Sequence, residues 1–129
     1  MTSPISITDP ASLAVAAARA AADKKGVEPV VLDVGPLLGI TDAFVITSAG
    51  NDRLVRTIAE EIERQVKEGG GGPPLSVEGL DDARWVLMDY GPVVVHVFLE
   101  EARRYYDLER LWSIAPRLDW EDAPTAARA

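Results

Sequence analysis

The sequence of 129 residues contains no cysteine, a single histidine and few aromatic residues, namely three Trp, three Tyr and two Phe. The absence of cysteine excludes disulfides, thiolate metal sites and cysteine nucleophiles. Without a second histidine we expect no zinc site, and no apolar run approaches the roughly 20 residues that span a membrane. The segment Met1–Pro4 has none of the features of a secretory signal or a transit peptide. These absences predict a cytoplasmic protein without membrane contact.

Positive charge is also scarce, because 13 Lys and Arg face 21 Asp and Glu, which gives a net charge of −8. Nucleic-acid binding depends largely on neutralising phosphates, so we expect no direct sequence-specific contact with nucleic acid. An acidic surface suits a basic protein partner, although on charge alone solubility is the simpler explanation. The length predicts one domain.

The chain does have a dense apolar stretch from Trp85 to Leu99, built of two runs separated only by Gly91-Pro92. Its β-branched and aromatic residues predict a tight β-hairpin in which Gly91 supplies the positive φ of the turn. The register places Trp85 opposite Phe98, and side chains alternate between the two faces. One face is core-like and carries Val86, Met88, Tyr90, Val93, Val95 and Val97. The other face carries Trp85, Leu87, Asp89, Val94, His96 and Phe98.

The remaining patterns predict helices at 9–25 and after Asn51, strands at 27–34, 42–48 and 75–78, a loop at 35–39 and a last helix over 101–114. This order predicts an α/β (α+β) domain with a mixed five-stranded sheet flanked by helices. We expect this single domain at 9–115, a flexible N-terminus at 1–8 and a disordered C-terminal tail at 116–129.

Two helical faces carry further expectations. In the last helix, Tyr105 belongs to the packed stripe, whereas Tyr106 lies off that stripe and is available to a partner. In the Asn51 helix, the charged face with Glu60, Glu61 and Glu63 is interpreted as solvated and supported by ion pairs along the helix.

The stretch from Trp85 to Trp112 resembles the signature of the ribosomal silencing factor family (the RsfS/Iojap family). The shared pattern is a Trp-led strand, D-Y-G, a valine run with V-H-V-F, and then R-x-Y-Y-x-L-E-x-L-W. Upstream, Ile40–Ile46 is similar to the family's I-T-D-x-[FM]-V-I strand, so the resemblance covers residues 9–114 approximately. Pro92 stands where the family has an acid, and 48–53 matches the family's S-G-x-S-x-R only loosely.

The resemblance implies a nucleotidyltransferase-like fold and a translational repressor that is not an enzyme and uses no cofactor. It implies binding to the large ribosomal subunit through a basic ribosomal protein, the fourteenth of that subunit, at an inter-subunit bridge. Occupancy of that surface would sterically block joining of the small subunit when nutrients are short. A role in large-subunit biogenesis is implied as well.

The aromatic face of the hairpin is the candidate partner-binding surface. Its predicted apolar anchor consists of Trp85, Leu87, Val94 and Phe98. Negative charge for lysines and arginines of the partner would come from Asp89, with Glu78, Asp81 and Asp82 nearby. Tyr106 and Glu109 would extend this surface, and Tyr90 and His96 complete the candidate set. The same face would also suit a homodimer, and the sequence leaves both open.

A metal-dependent nucleotidyltransferase is the alternative function. That chemistry needs carboxylates clustered on strands to hold divalent metal, and no predicted strand carries D-x-D or D-x-E. A catalytic dyad of His96 and Asp89 is conceivable, but the register sets them diagonally, at about 7–8 Å. We therefore predict no catalytic residue and no metal site, and interpret His96 as a structural or interface histidine.

Overall fold

The structure is a computed structural model that describes residues 6–121. Its helices are α1 (Pro10–Asp23), α2 (Gly35–Leu38), α3 (Asp52–Glu68), α4 (Glu100–Tyr106) and α5 (Leu108–Leu111). Its strands are β1 (Val27–Asp33), β2 (Ala43–Ala49), β3 (Ser76–Glu78), β4 (Trp85–Asp89), β5 (Val93–Leu99) and β6 (Arg117–Leu118). Within the described residues, no helix is long and apolar enough to cross a membrane.

The strands join one sheet in the order β3-β4-β5-β2-β1-β6. β2 and β5 run parallel and all other neighbours run antiparallel, which confirms the predicted mixed sheet. The predicted number of five strands is wrong, because Arg117 and Leu118 pair with Leu32 and Val31 as a sixth strand. A strand of two residues has no hydrophobic period that a sequence can show.

The segment 116–121, predicted to be disordered, packs along β1. The Asp33 amide donates to the Pro116 carbonyl at 2.8 Å, and the Trp120 indole donates to the Pro29 carbonyl at 2.8 Å. At the other end, the Ile7 amide donates to the Gly69 carbonyl at 2.9 Å. The remaining parts of the two predicted flexible ends, 1–5 and 122–129, lie outside the described residues.

β4 and β5 form the predicted hairpin in the predicted register. Trp85 lies opposite Phe98 and Asp89 lies opposite Val94, and Gly91 takes a φ of 89° in the turn. The side chains therefore alternate as expected. Those fully buried on the core-like face are Val86, Met88, Val93, Val95 and Val97.

Two long helices, α1 and α3, cover this buried face. The side chains of Asp9 and Asn51 cap them, each by accepting an amide of the first turn, as the sequence predicts. The alanine-rich stripe of α1 allows close packing on the sheet and on α3. The charged face of α3 is predicted to be solvated, but Glu61 is buried, and Arg64 and Gln65 donate to its carboxylate.

The opposite face of the sheet receives only short helical segments. The predicted continuous helix over 101–114 is wrong, because Asp107 adopts a left-handed φ of 49° and separates α4 from α5. The expected packed stripe is interrupted there, and Tyr105 is 81% exposed. Residues 35–38, predicted as a loop, form the helical turn α2. The side chains that pack on this face include Leu38 of α2, Ala102 of α4, Leu108 of α5 and Trp112 just after α5.

Candidate docking surface

The half-covered face of the sheet presents three rows of side chains across β4, β5 and β2. The register groups Asp89, Val94 and Phe44 in the first row, Leu87, His96 and Ile46 in the second, and Trp85, Phe98 and Ser48 in the third. The half-exposed members define what we call the docking face: Phe44, Trp85, Leu87, Asp89 and Val94. The other four side chains are buried.

Trp85 lies in the third row and is held from several sides. Its ring centroid is 5.0 Å from that of Phe98 and 4.6 Å from that of Tyr106 on α4. Its indole Nε1 donates to Nδ1 of His96 at 3.0 Å. The indole is therefore held in one orientation within the free chain, and a side chain ordered in this way loses little entropy on forming a contact.

His96 has no free lone pair with which to act as a general base. An indole N–H only donates, so Nδ1 carries the accepting lone pair and the proton resides on Nε2. Nε2 is buried and has no hydrogen-bond partner among the described residues. Burial lowers the pKa of His96 from 6.5 to about 4, so the imidazole is neutral near pH 7.

The conceivable dyad of His96 with Asp89 does not form. Asp89 Oδ1 accepts from the Gly91 amide at 2.7 Å, within the hairpin turn. In residues 6–121, no group of three or more His, Cys, Asp or Glu side chains is arranged to hold a metal ion. What this face offers is a largely apolar contact area with a carboxylate in its first row.

Three of the predicted partner contacts are corrected by their positions. Tyr90 lies on the α1–α3 side of the sheet, where burial leaves it 7% exposed and raises the pKa of its hydroxyl. Phe98 and His96 are on the expected face, but they are only 1% and 4% exposed and lie against Trp85. The alternation of the strands assigned the faces, whereas the depth of burial depends on α4 and on neighbouring rings that the hairpin pattern does not show.

Glu109, predicted to extend the surface, is engaged within the molecule. Its carboxylate accepts from Arg103 Nε at 2.9 Å. The guanidinium of Arg103 also donates to the carbonyls of Val27 and Glu28 and to the Ser48 hydroxyl. Arg103 thus ties α4 to β1 and β2, a role that sequence reasoning missed because no spacing pattern signals such distant partners.

The acidic loop, residues 79–82, precedes β4 and carries two exposed aspartates, Asp81 and Asp82. Arg56 of α3 donates to two backbone carbonyls of this loop at 2.9 and 2.6 Å. Gly79 has a φ of 88°, and a Cβ at this position would lie 2.0 Å from the Trp85 carbonyl oxygen. Backbone contacts therefore hold the loop between Arg56 of α3 and the backbone of Trp85, and its two aspartate side chains are exposed.

Exposed apolar side chains at the hairpin tip were not predicted. Thr41 donates to the Gly91 carbonyl at 3.0 Å, which holds the preceding Ile40 near the tip. Leu75 also approaches the hairpin tip, since its Cδ1 lies 3.6 Å from the position that a Cβ on Gly91 would take. Ile40 and Leu75 are 85% and 77% exposed. Ile40 follows Gly39 outside the predicted strands, whereas Leu75, predicted as the first residue of a strand, follows Pro74 and lies just before β3.

Comparison with known proteins decides the family. A family model described as "Ribosomal silencing factor during starvation" matches residues 7–129. The chain belongs to this family. It is 44% identical over 103 residues to "Ribosomal silencing factor RsfS" of Bacillus subtilis, a match that covers 80% of this chain and 86% of that protein.

Another relative and a solved structure extend the comparison. A mouse protein named "Mitochondrial assembly of ribosomal large subunit protein 1" is 33% identical over 86 residues, which are 65% of this chain and 38% of that protein. A crystal structure of a protein from Chromobacterium violaceum superposes with a TM-score of 0.78 at 29% identity, covering 92% of this chain and 97% of that one. The resemblance inferred from Trp85 to Trp112 is confirmed, and the names of the Bacillus subtilis and mouse relatives refer to ribosomal silencing and to assembly of the large ribosomal subunit.

Proposed function

We propose that this protein represses translation by binding the large ribosomal subunit with its docking face and blocking the small subunit. The names of its relatives refer to ribosomal silencing and to assembly of the large subunit. The proposed partner is the basic fourteenth protein of that subunit, at an inter-subunit bridge, as the resemblance to the RsfS/Iojap family implies. Such a repressor would act in the cytoplasm, and the same contact would serve large-subunit biogenesis.

The observation that carries this proposal is the uneven cover of the sheet. α1 and α3 bury one face, whereas the other leaves Phe44, Trp85, Leu87 and Val94 half-exposed on adjacent strands. Protein interfaces have an apolar, aromatic-rich centre and a polar rim, and a few large side chains dominate their binding energy. Trp85 has the size, the exposure and the fixed orientation for that role.

Charge supports a basic partner. Asp89 lies within the docking face, Glu78 on β3 faces Leu87 across the strand pair, and Gly79 of the acidic loop adjoins the backbone of Trp85. The net charge of −8 adds long-range attraction toward lysine- and arginine-rich surfaces.

Occupancy alone is sufficient for repression in this proposal. A folded domain of about 100 residues has a radius of gyration of about 13 Å. Two subunits that touch at a bridge leave no gap for a body of this size. The proposed mechanism therefore needs no chemical step.

Co-sedimentation tests the proposed binding. Purified protein is mixed with isolated large or small ribosomal subunits and separated on sucrose gradients at low and moderate salt. We expect comigration with the large subunit alone. Absence of comigration with large subunits at moderate salt, or equal comigration with both subunits, would contradict the proposal.

Substitution of Trp85 tests the docking face. Trp85→Ala is expected to weaken binding by about 2 kcal/mol or more, roughly 30-fold, because it removes a large interface side chain. Trp120→Phe is the control, since Trp120 packs against the α1–α3 core cluster on the opposite face of the sheet and donates to the Pro29 carbonyl. Titration of large subunits measures affinity, and circular dichroism checks that each variant is folded. Equal affinities of the two variants would assign binding to another surface.

A second copy of the chain is the competing occupant of the docking face. Sedimentation velocity over a range of concentrations distinguishes the two. A dimer that Trp85→Ala dissociates would show that two copies cover this face, whereas a monomer at all concentrations leaves the face available to the ribosome.

A further inference from the structure

His96 is a costly residue for the place that it occupies. Its Nε2–H is buried and has no acceptor among the described residues, and a buried unsatisfied donor lowers stability. The surrounding rings are apolar, with Phe44 edge-on at 4.8 Å and Phe98 stacked at 6.1 Å between ring centroids. A phenylalanine would fill this site without a buried Nε2–H. The imidazole must therefore supply something that a hydrocarbon ring lacks.

What the imidazole supplies is an acceptor for Trp85. The Nδ1 atom of His96 receives the indole N–H at 3.0 Å, while Asp89, the charged side chain of β4 on this face, accepts from the Gly91 amide. Phe98 and Tyr106 also touch the indole, but ring contacts tolerate rotation, whereas a hydrogen bond depends on direction. His96 is thus the contact that determines the orientation of Trp85 within its plane.

We propose that His96 is a positioning residue that holds the Trp85 indole in its docking orientation and does not touch the partner. This inference rests on the proposed function, in which Trp85 is the central anchor. The buried imidazole is out of reach of a bound protein, so it acts on affinity through Trp85 alone. Its chemical requirement is a neutral acceptor at the position of Nδ1.

Two substitutions separate the acceptor from the volume of the side chain. His96→Phe keeps a ring and removes the acceptor, whereas His96→Asn places an amide oxygen near the position of Nδ1. We expect His96→Phe to weaken large-subunit binding about 5- to 10-fold, the effect of one directional hydrogen bond. We expect His96→Asn to stay within about threefold of the wild type, because its oxygen accepts the same N–H.

A double-mutant cycle tests whether His96 acts through Trp85. In a Trp85→Phe background there is no indole N–H to orient, so His96→Phe is expected to have no further effect on affinity. A purely structural histidine would lower affinity by the same factor in both backgrounds. Additive effects of the two substitutions would therefore overturn the inference.

The free protein provides a second readout that does not require the ribosome. The NMR resonance of the Trp85 indole N–H, identified by its loss in Trp85→Phe, is expected to shift and to exchange faster with solvent in His96→Phe but not in His96→Asn. An unchanged resonance in His96→Phe would overturn the inference.

Failure of the proposed function is distinguishable from failure of this inference. If the wild type fails to bind large subunits, the proposed function fails, whereas these spectra still decide whether His96 orients Trp85. His96→Asn decides the case in which His96→Phe does not fold. If the Trp85 indole N–H resonance is shifted and exchanges faster in folded His96→Asn, the inference is overturned.

Discussion

The two faces of one sheet differ in what their side chains do. The face under α1 and α3 is lined by fully buried aliphatic residues and closely packed alanines. The docking face combines tryptophan, phenylalanine and aspartate above a buried histidine, and it stays half-exposed under short helical segments. Neighbouring residues of β4 and β5 serve opposite faces because strand side chains alternate. Under the proposed function, stability and binding are divided between alternate residues of the same strands.

Two adjacent residues of β4 test this division with the largest expected effect. Met88 is fully buried on the α1–α3 face, whereas Leu87 is half-exposed on the docking face. Met88→Ala is expected to lower the free energy of unfolding by about 2–5 kcal/mol. Leu87→Ala should lower it by only about 1 kcal/mol, since less area is buried there, but should weaken ribosome binding. Denaturant unfolding and subunit titration measure the two effects, and equal destabilisation by both substitutions would refute the division.

Acid is expected to lower the free energy of unfolding through His96, which is buried beneath the docking face. Burial holds the pKa of His96 at about 4, below the ordinary value of 6.5, so between these values the unfolded chain binds more protons than the folded one. The contribution of neutral His96 to stability is complete above pH 6.5 and is lost as the pH falls to 4, by up to roughly 3 kcal/mol. A protonated Nδ1 is itself a donor, so it could no longer accept the indole N–H of Trp85.

Unfolding curves between pH 7 and pH 4 check this expectation. His96→Phe should lack the part of the pH dependence that comes from the imidazole. The same slope in the variant and in the wild type would attribute acid sensitivity to carboxylates instead, for example to Glu61, whose pKa is lowered by its hydrogen bond with Arg64.

The acidic loop should affect binding with little effect on stability, which is the smallest expected change. Asp81→Lys alters an exposed side chain, so the free energy of unfolding should change by less than about 0.5 kcal/mol. Ribosome affinity should fall about fivefold at low salt and less at high salt, because the lost attraction is screened. Glu60→Lys changes the net charge equally on exposed α3 surface away from the docking face. If both variants weaken binding equally, overall charge and not the loop attracts the partner.

Local sequence signals predicted the centre of the molecule well. Gly91-Pro92 set the hairpin register, the alternation along β4 and β5 assigned each side chain to its face, and Asp9 and Asn51 marked the starts of α1 and α3. These features depend on residues near one another in the chain, so composition and spacing are sufficient to reveal them.

The features that sequence reasoning missed depend on contacts between distant segments. Asp107 takes a left-handed conformation inside a continuous helical pattern, and 117–118 becomes a strand only because β1 offers an open edge. Arg103 finds its backbone acceptors more than 70 residues away. The indole of Trp85 meets His96 across the hairpin only in a particular side-chain orientation. Spacing cannot specify such choices, because each is made by the assembled sheet.

Light scattering during subunit joining tests most directly whether the docking face keeps the ribosomal subunits apart. Large subunits are incubated with wild-type protein, Trp85→Ala or Trp120→Phe before small subunits are added. We predict that the wild type and Trp120→Phe reduce joining in proportion to their occupancy of the large subunit, and that Trp85→Ala at the same concentration leaves joining nearly unchanged. Normal joining by large subunits that carry the bound wild-type protein, or full inhibition by Trp85→Ala, would contradict this mechanism.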